Sequence, residues 1–200
     1  MHFTLTDLIA DITQNGAESG ADLVELDINE TVDLLKPGSS EKKSELRFSV
    51  KDNGKGMTPP ELERAKDPFV TDGVKHPHRK VGLGLPFLIQ TAEQSGGGWK
   101  IESVKEPDAG HGTVVSAWFD LGNVDTPPIG DIPGLLRTAL LLNGPVEMVI
   151  RRVRDAPDGK HIEYEVRKTE LAEALGDLED VQSLILLGKY LESLESSDET

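Results

Sequence analysis

The chain of 200 residues has no cysteine. Disulfides, zinc–thiolate sites and iron–sulfur ligation by this chain are therefore excluded, and the absence fits a reducing cytoplasm. No basic region followed by an apolar run opens the sequence, so no signal peptide is expected. No apolar stretch approaches membrane-spanning length. Positive charge is also in short supply. Against 36 acidic residues stand 21 basic ones, a formal net charge of −15. That balance disfavours attraction to nucleic-acid phosphate and weighs against a DNA-repair or topoisomerase role. Local basic patches remain at Lys75–Lys80 and Arg151–Arg154. The expectation is a cytoplasmic protein without nucleic-acid or membrane partners. Its length allows one good core and a smaller second unit.

Against these absences stand three glycine-rich signals in fixed order, behind an asparagine on an expected helix. They are Asp52-Asn53-Gly54-Lys55-Gly56-Met57, Gly82-Leu83-Gly84-Leu85 and Gly110-His111-Gly112-Thr113. The helix opens at Thr4 or Thr6 and carries Leu5, Leu8, Ile9 and Ile12 at helical spacing. Asp11 and Asn15 lie four apart, one turn from each other. An amide oxygen there suits magnesium, which favours hard oxygen donors and retains several waters. A carboxylate one turn away can orient or deprotonate a nucleophile. The same pair also fits a polar helix edge near solvent.

Residues 44–52 read as a strand, with Leu46, Phe48 and Val50 alternating with Arg47, Ser49 and Lys51. Asp52 continues the apolar phase, so its carboxylate should point into the core, where it needs a donor. The exocyclic amine of adenine would supply one, whereas guanine presents a carbonyl at that position. Gly54 and Gly56 would let the backbone turn and a ring approach. A plain strand-to-turn transition is the competing reading, since Asp-Asn-Gly is turn chemistry. Val24, Leu26 and Ile28 mark a preceding strand, and the stretch from 31 to 43 reads as loop.

Thr58-Pro59-Pro60-Glu61 carries a capping box for a short helix. The polar segment Asp67–Lys80 has the length and cations (Lys75, Arg79, Lys80) of a phosphate-covering lid, or of a surface loop. Gly82-Leu83-Gly84-Leu85 opens the next helix, where free N–H groups and the helix dipole favour an anion. It is not a Walker-type loop, because no Gly-Lys-Ser/Thr follows. Gly96-Gly97-Gly98 ends that helix. Trp99–Val104 and Thr113–Leu121 read as strands, and the Thr113 hydroxyl can meet an adenine through water. His2, His76, His78, His111 and His161 read as surface or lid residues.

Taken in order, Asn15, Asp52/Gly54/Gly56, Gly82/Gly84 and Gly112/Thr113 resemble the GHKL ATPase superfamily of gyrases, heat-shock chaperones, histidine kinases and mismatch-repair ATPases. The similarity covers roughly residues 4–121. It implies a Bergerat-type α/β (α+β) two-layer sandwich, with helices on one face of a mixed sheet, and ATP with Mg2+ as cofactors. It assigns Asn15 to the metal, Asp52 to the adenine amine and Thr113 to the adenine end. Nucleotide contacts fall to Gly54, Gly56, Met57, Lys75, Lys80, Gly82, Leu83, Gly84 and Leu85. Asp67-Pro68-Phe69-Val70-Thr71 is similar to histidine-kinase lids. Asp11-Ile12-Thr13-Gln14-Asn15 looks more like the mismatch-repair helix. Those hydrolases carry a glutamate where Asp11 stands. The shorter side chain implies slow rather than fast hydrolysis, since catalytic geometry is sensitive to an ångström. No phosphoacceptor helix precedes the motifs, so autophosphorylation on histidine is not expected.

The expected organisation is an ATP-binding domain over 1–122, a linker over 123–131, a small unit over 132–194 and a disordered acidic tail over 195–200. The small unit reads α-β-β-α-α. A helix over Ile132–Leu142 is followed by strands Pro145–Arg154 and His161–Lys168 around a Pro-Asp-Gly turn, then a helix from Thr169 to Leu175 and one from Val181 to Leu194. Its thin core should dock on the first domain, pair with another copy as a homodimer, or bind a protein partner. Two functions follow. One is a signalling ATPase or kinase with Asp11 as the catalytic residue. The other is a non-catalytic ATP sensor whose lid ordering controls a partner.

Overall fold

The computed structural model describes residues 3–35, 42–67, 84–157 and 161–196. Helix α1 (Leu5–Ala17) starts at Thr4 in a reciprocal capping box. The Thr4 hydroxyl accepts from the Asp7 N–H at 3.2 Å, and the Asp7 carboxylate accepts from the Thr4 N–H at 2.9 Å. Leu5, Leu8, Ile9 and Ile12 bury one stripe. Strands β1 (Leu23–Leu35) and β2 (Lys42–Asp52) pair antiparallel. Both run further into the 31–43 region than the loop expected there. They accommodate it with a register shift after Thr31 and with Asp33 at positive φ.

Helix α2 (Pro59–Lys66) has the expected Thr58–Glu61 capping box and buries no residue. Helix α3 (Gly84–Gln94) buries Leu88 and Ala92. Strands β3 (Gly98–Val104) and β4 (Gly112–Asp120) form a hairpin, and β4 also pairs antiparallel with β2. Helix α4 (Ile132–Leu140), strands β5 (Glu147–Asp155) and β6 (His161–Arg167), and helices α5 (Lys168–Leu175) and α6 (Val181–Glu195) complete the described chain. Among the described residues no helix is long and apolar enough to cross a membrane.

All six strands form one sheet in the order β3-β4-β2-β1-β5-β6. Its inner face joins α1, α3, α4 and α6 in a single apolar cluster that runs from Leu88 and Phe119 at one end to Leu136 and Leu187 at the other. The opposite face is charged. Lys51 pairs with Glu25 at 2.8 Å, and Arg151 bridges Glu25, Asp27 and Glu165 at 3.2, 3.3 and 2.7 Å. Strand alternation produces this division, apolar side chains inward and charged ones outward. The two-layer sandwich expected from sequence is what the coordinates show.

Of the three ways the C-terminal unit could cover its core, the structure uses docking. Strand β5 pairs in parallel with β1, in register from Leu23–Glu147 to Thr31–Asp155. Leu135, Leu136, Leu187 and Leu191 enter the shared core. The 123–131 segment is pinned as well. Carbonyls of Pro128 and Ile129 accept from the Leu5 and Thr6 N–H groups at 2.9 and 2.8 Å. Those are free N-terminal donors of α1 that the helix itself cannot satisfy. Gly130 is required there, because a Cβ would lie 2.2 Å from the Thr6 hydroxyl.

Glu195, expected to begin a disordered tail, instead closes α6. The cause is a charge cluster beneath the helix end. Arg152 is 1% exposed, on the inner face of β5. Its guanidinium donates to Glu30, to Glu195 at 3.3 Å and to the Val153 carbonyl at 2.9 Å. Arg154 donates to the other Glu30 oxygen at 3.3 Å, and the Tyr164 hydroxyl donates to Glu195 at 2.5 Å. Burial, then the neighbouring Glu195 carboxylate, push the Tyr164 phenol well above its ordinary range.

Removing one member of such a cluster leaves a buried charge unmatched. Glu30→Ala is expected to cost about 3–5 kcal/mol in urea unfolding followed by circular dichroism. The paired replacement Glu30→Leu with Arg152→Met should cost clearly less, because it strands no charge.

Candidate nucleotide-binding site

The site assembles at one end of the sheet, where α1 finishes above β2. Gly16 sits directly over this end, and a Cβ there would lie 3.4 to 3.6 Å from Val50, Asp52 and Val24. Asp52 ends β2 with its side chain on the inner face, 8% exposed. Its Oδ1 accepts from the Gly54 N–H at 2.9 Å and from the Ser19 hydroxyl at 3.0 Å. Ser19 shares that one proton with the Gly16 carbonyl at 2.7 Å. The Thr113 backbone N–H lies near the same carboxylate and helps to lower its pKa. A carboxylate has roughly four lone-pair sites, so acceptor capacity remains for a further donor. Burial raises the Asp52 pKa above its ordinary value, and the Gly54, Ser19 and Thr113 bonds oppose the rise.

The loop after Asp52 is held on both sides. The Asn53 side chain accepts from the Asp22 and Leu23 N–H groups, each at 3.0 Å. The Lys55 N–H donates to the Ser19 carbonyl at 3.3 Å, and the Lys55 carbonyl accepts from Glu106 at 2.9 Å. His111 donates through Nδ1 to the Gly54 carbonyl at 2.7 Å. The Met57 N–H donates to the Ser103 hydroxyl at 2.8 Å.

Two glycine assignments change meaning here. Gly54 and Gly56 were expected to let the backbone turn and a ring approach. A Cβ on Gly54 would instead strike the Ser19 hydroxyl at 1.9 Å, and one on Gly56 the Val104 carbonyl at 1.8 Å. They permit the protein's own close packing, which holds Asp52 and its loop in place. Gly56 also has φ +58, a conformation costly for other residues.

The second glycine signal reaches the same corner. Gly84 begins α3, and a Cβ there would lie 3.3 Å from the Asn15 amide nitrogen. Leu85 packs against the core. Asn15 and Asp11 are both exposed on α1, a turn apart. Lys75, Arg79, Lys80, Gly82, Leu83 and the Asp67–Lys80 lid, apart from Asp67 itself, lie outside the described residues. Thr113 stands beside Asp52 as its ladder partner. The structure thus brings together Asn15, Asp52, Gly54, Gly56, Met57, Gly84 and Thr113.

Sequence reasoning missed three residues. Ser19 was read only as part of a turn, and Ser103 as an ordinary strand residue. His111 was grouped with surface histidines, yet it is half-buried and braces the Gly54 loop. Its place between two glycines of the third signal was the available hint.

A base can meet Asp52 on one side of this corner, and phosphates can meet the start of α3 on the other. Asn15 is the residue that would hold magnesium. Among the described residues no group of three or more His, Cys, Asp or Glu side chains gathers for a metal. A single amide oxygen fits this ion, which takes its remaining ligands from phosphates and water.

Fold and corner together define an α/β sandwich of the GHKL type, built to take ATP. The chain belongs to the histidine kinase-, DNA gyrase B-, and HSP90-like ATPase family, whose profile matches residues 3–123. Family membership makes this an ATP-binding domain. A crystal structure described as the N-terminal domain of a DNA repair protein has TM-score 0.53 at 13% identity, covering 88% of this chain and 57% of that one. The present chain therefore spans little more than half of it, and the likeness is one of fold. A mycobacterial sensor histidine kinase, MprB, matches at TM-score 0.34 and 14% identity, covering 59% of this chain and 96% of that one. Full-length ShkA in complex with AMPPNP matches at TM-score 0.33 and 16% identity, covering 62% and 32%. No curated protein matches the chain.

Asp52→Asn places an amide N–H where an acceptor stood. Hydrogen bonds to charged groups contribute about 1.5–3 kcal/mol, so ATP affinity by calorimetry should fall at least tenfold, taking about 1.4 kcal/mol per decade. Stability should move the other way. A carboxylate whose folded pKa is raised contributes stability only when protonated and loses it as pH rises through that pKa. Asp52→Asn should therefore equal or exceed the wild type in urea stability at pH 7. The difference should close as pH falls towards the ordinary value of 3.8.

Proposed function

We propose that this chain is a Mg-ATP-using signalling protein of the histidine-kinase-like type. It hydrolyses ATP slowly or passes the terminal phosphoryl group to a separate partner protein. The observation that supports this reading is the meeting of α1's Asn15 and Gly16, the buried Asp52 and the first residue of α3 in one corner. Asp52 and Thr113 receive the base, and the start of α3 receives phosphates through its free N–H groups. Asp11 accepts the proton of the attacking water or acceptor hydroxyl. Asn15 would hold magnesium, which would supply charge neutralisation at the phosphates, and Lys75, Arg79 and Lys80 are assigned to the same task.

A second reading is a non-catalytic ATP sensor, favoured by how α1 is mounted. The helix that carries Asp11 and Asn15 packs against α4, and α4 packs against α6. Carbonyls of the 123–131 segment cap its start. A shift of α1 on nucleotide binding would be passed to the C-terminal elements. There α6 exposes Val181, Ile185, Leu186 and Tyr190, a surface suited to a protein partner. A DNA-linked role like that of the similar repair protein is disfavoured by the net charge of −15. A cytoplasmic location is part of both readings.

Asp11→Asn separates the two. Under the enzymatic reading it abolishes phosphate release from Mg-ATP while leaving ATP affinity within about twofold. Wild-type protein with no measurable phosphate release and no transfer to a co-purifying partner would favour the sensor. A coupled phosphate assay and calorimetry on both proteins decide.

A further inference from the structure

Strand pairing lines up three polar side chains that sequence order keeps apart. Ser103 on β3 is the ladder partner of Thr113 on β4, and Thr113 is the partner of Asp52 on β2. Directly paired residues project to the same face. Ser103, Thr113 and Asp52 therefore form one polar row across the inner face, and on β1 it is continued by apolar Val24, the partner of Asp52.

Ser103 has the most constrained hydrogen bonding of the three. Its oxygen accepts from the Met57 N–H at 2.8 Å. It also lies 3.1 Å from the Gly112 carbonyl and 2.9 Å from the Thr113 hydroxyl oxygen. A hydroxyl has one proton to donate and two lone pairs to accept with. The Gly112 carbonyl can only accept. One assignment satisfies every group. Ser103 donates to Gly112 and accepts from both the Met57 N–H and the Thr113 hydroxyl. The Thr113 proton is then committed to Ser103, and Thr113 turns only lone pairs towards Asp52 and the base corner.

We propose that Ser103 is a positioning residue for base recognition, one that commits the Thr113 hydroxyl as an acceptor and so makes a two-acceptor reader of Asp52 and Thr113. The exocyclic amine of adenine offers two N–H donors, where guanine offers a carbonyl acceptor. One N–H meets Asp52 and the other meets Thr113, directly or through one water. Without Ser103 the Thr113 hydroxyl rotates freely and can present its proton instead. Ser103 also ties this polarity to the Gly56–Met57 backbone, so the reader and the glycine loop are set together. The inference rests on the placement of the base against Asp52.

The test compares Mg-ATP with the triphosphate of purine riboside, which lacks the exocyclic amine, by titration calorimetry. Wild-type protein should favour ATP. Ser103→Ala should lower that preference by about fivefold, the worth of one neutral hydrogen bond, with the ADP-to-ATP affinity ratio unchanged. Ser103→Thr, which keeps the hydroxyl, should restore the preference. Thr113→Val leaves the Met57 anchor in place and should lose the same preference, and the double variant should lose no more than either alone. A full wild-type preference in Ser103→Ala or in Thr113→Val overturns the role of Ser103 while leaving ATP binding intact. Wild-type protein with no affinity for Mg-ATP overturns the underlying placement as well.

Discussion

A carboxylate held on the inner face of the sheet is the constraint on which this site depends. Asp52 follows Phe48 and Val50 in strand phase, so alternation alone carries it out of water. Leaving it there is costly unless donors surround it. Ser19 and Gly54 meet that demand from α1's C-terminal turn and from the loop, with the Thr113 N–H of β4 close by. Each donor in turn fixes a piece of the corner. Gly54 must lack a side chain for Ser19 to reach the carboxylate, and at Gly16 the closeness of α1 to β2 leaves room for little more than a Cβ. The glycines near Asp52 thus serve its solvation first, and the ligand through it.

How much of this was legible in the sequence follows from the range of the interactions involved. The capping boxes at Thr4 and Thr58 lie within three residues of their partners; sequence alone indicated the one at Thr58 and, for the first helix, a cap at Thr4 or Thr6. The inward direction of Asp52 needed only the period of one strand. Ser103 required knowing which residue of β3 stands opposite Thr113, and an alternating pattern does not set that register. Ser19 was hidden for the same reason. Its partner Asp52 is distant in sequence, and the serine sits in a turn that local chemistry explains by itself. The crowding around Gly54 and Gly56 was equally out of reach, because a glycine looks the same whether a ligand or the chain occupies the space beside it.

The C-terminal half teaches a similar lesson about long-range pairing. Its elements were readable one by one, from the apolar stripe of α4 to the turn between β5 and β6. Their attachment was not, since the parallel pairing of β5 with β1 joins segments more than a hundred residues apart. Glu195 shows the cost of judging a residue by its neighbours. Followed by serines and acids, it read as tail, yet Arg152 and Tyr164 hold it. Two arginines and two glutamates balance within that cluster, so the end of α6 is tied to the sheet by matched charge as well as by apolar packing.

Strand β1 is an interior strand because β5 lies along it. The family's boundary near residue 123 therefore does not coincide with an edge of the hydrogen-bonded structure. Anyone excising the nucleotide-binding half at that point would bare a long row of unsatisfied amides and carbonyls on β1, flanked by Val24, Leu26 and Ile28. Such a fragment would seek another strand to lie against, and self-assembly into aggregates is the usual outcome.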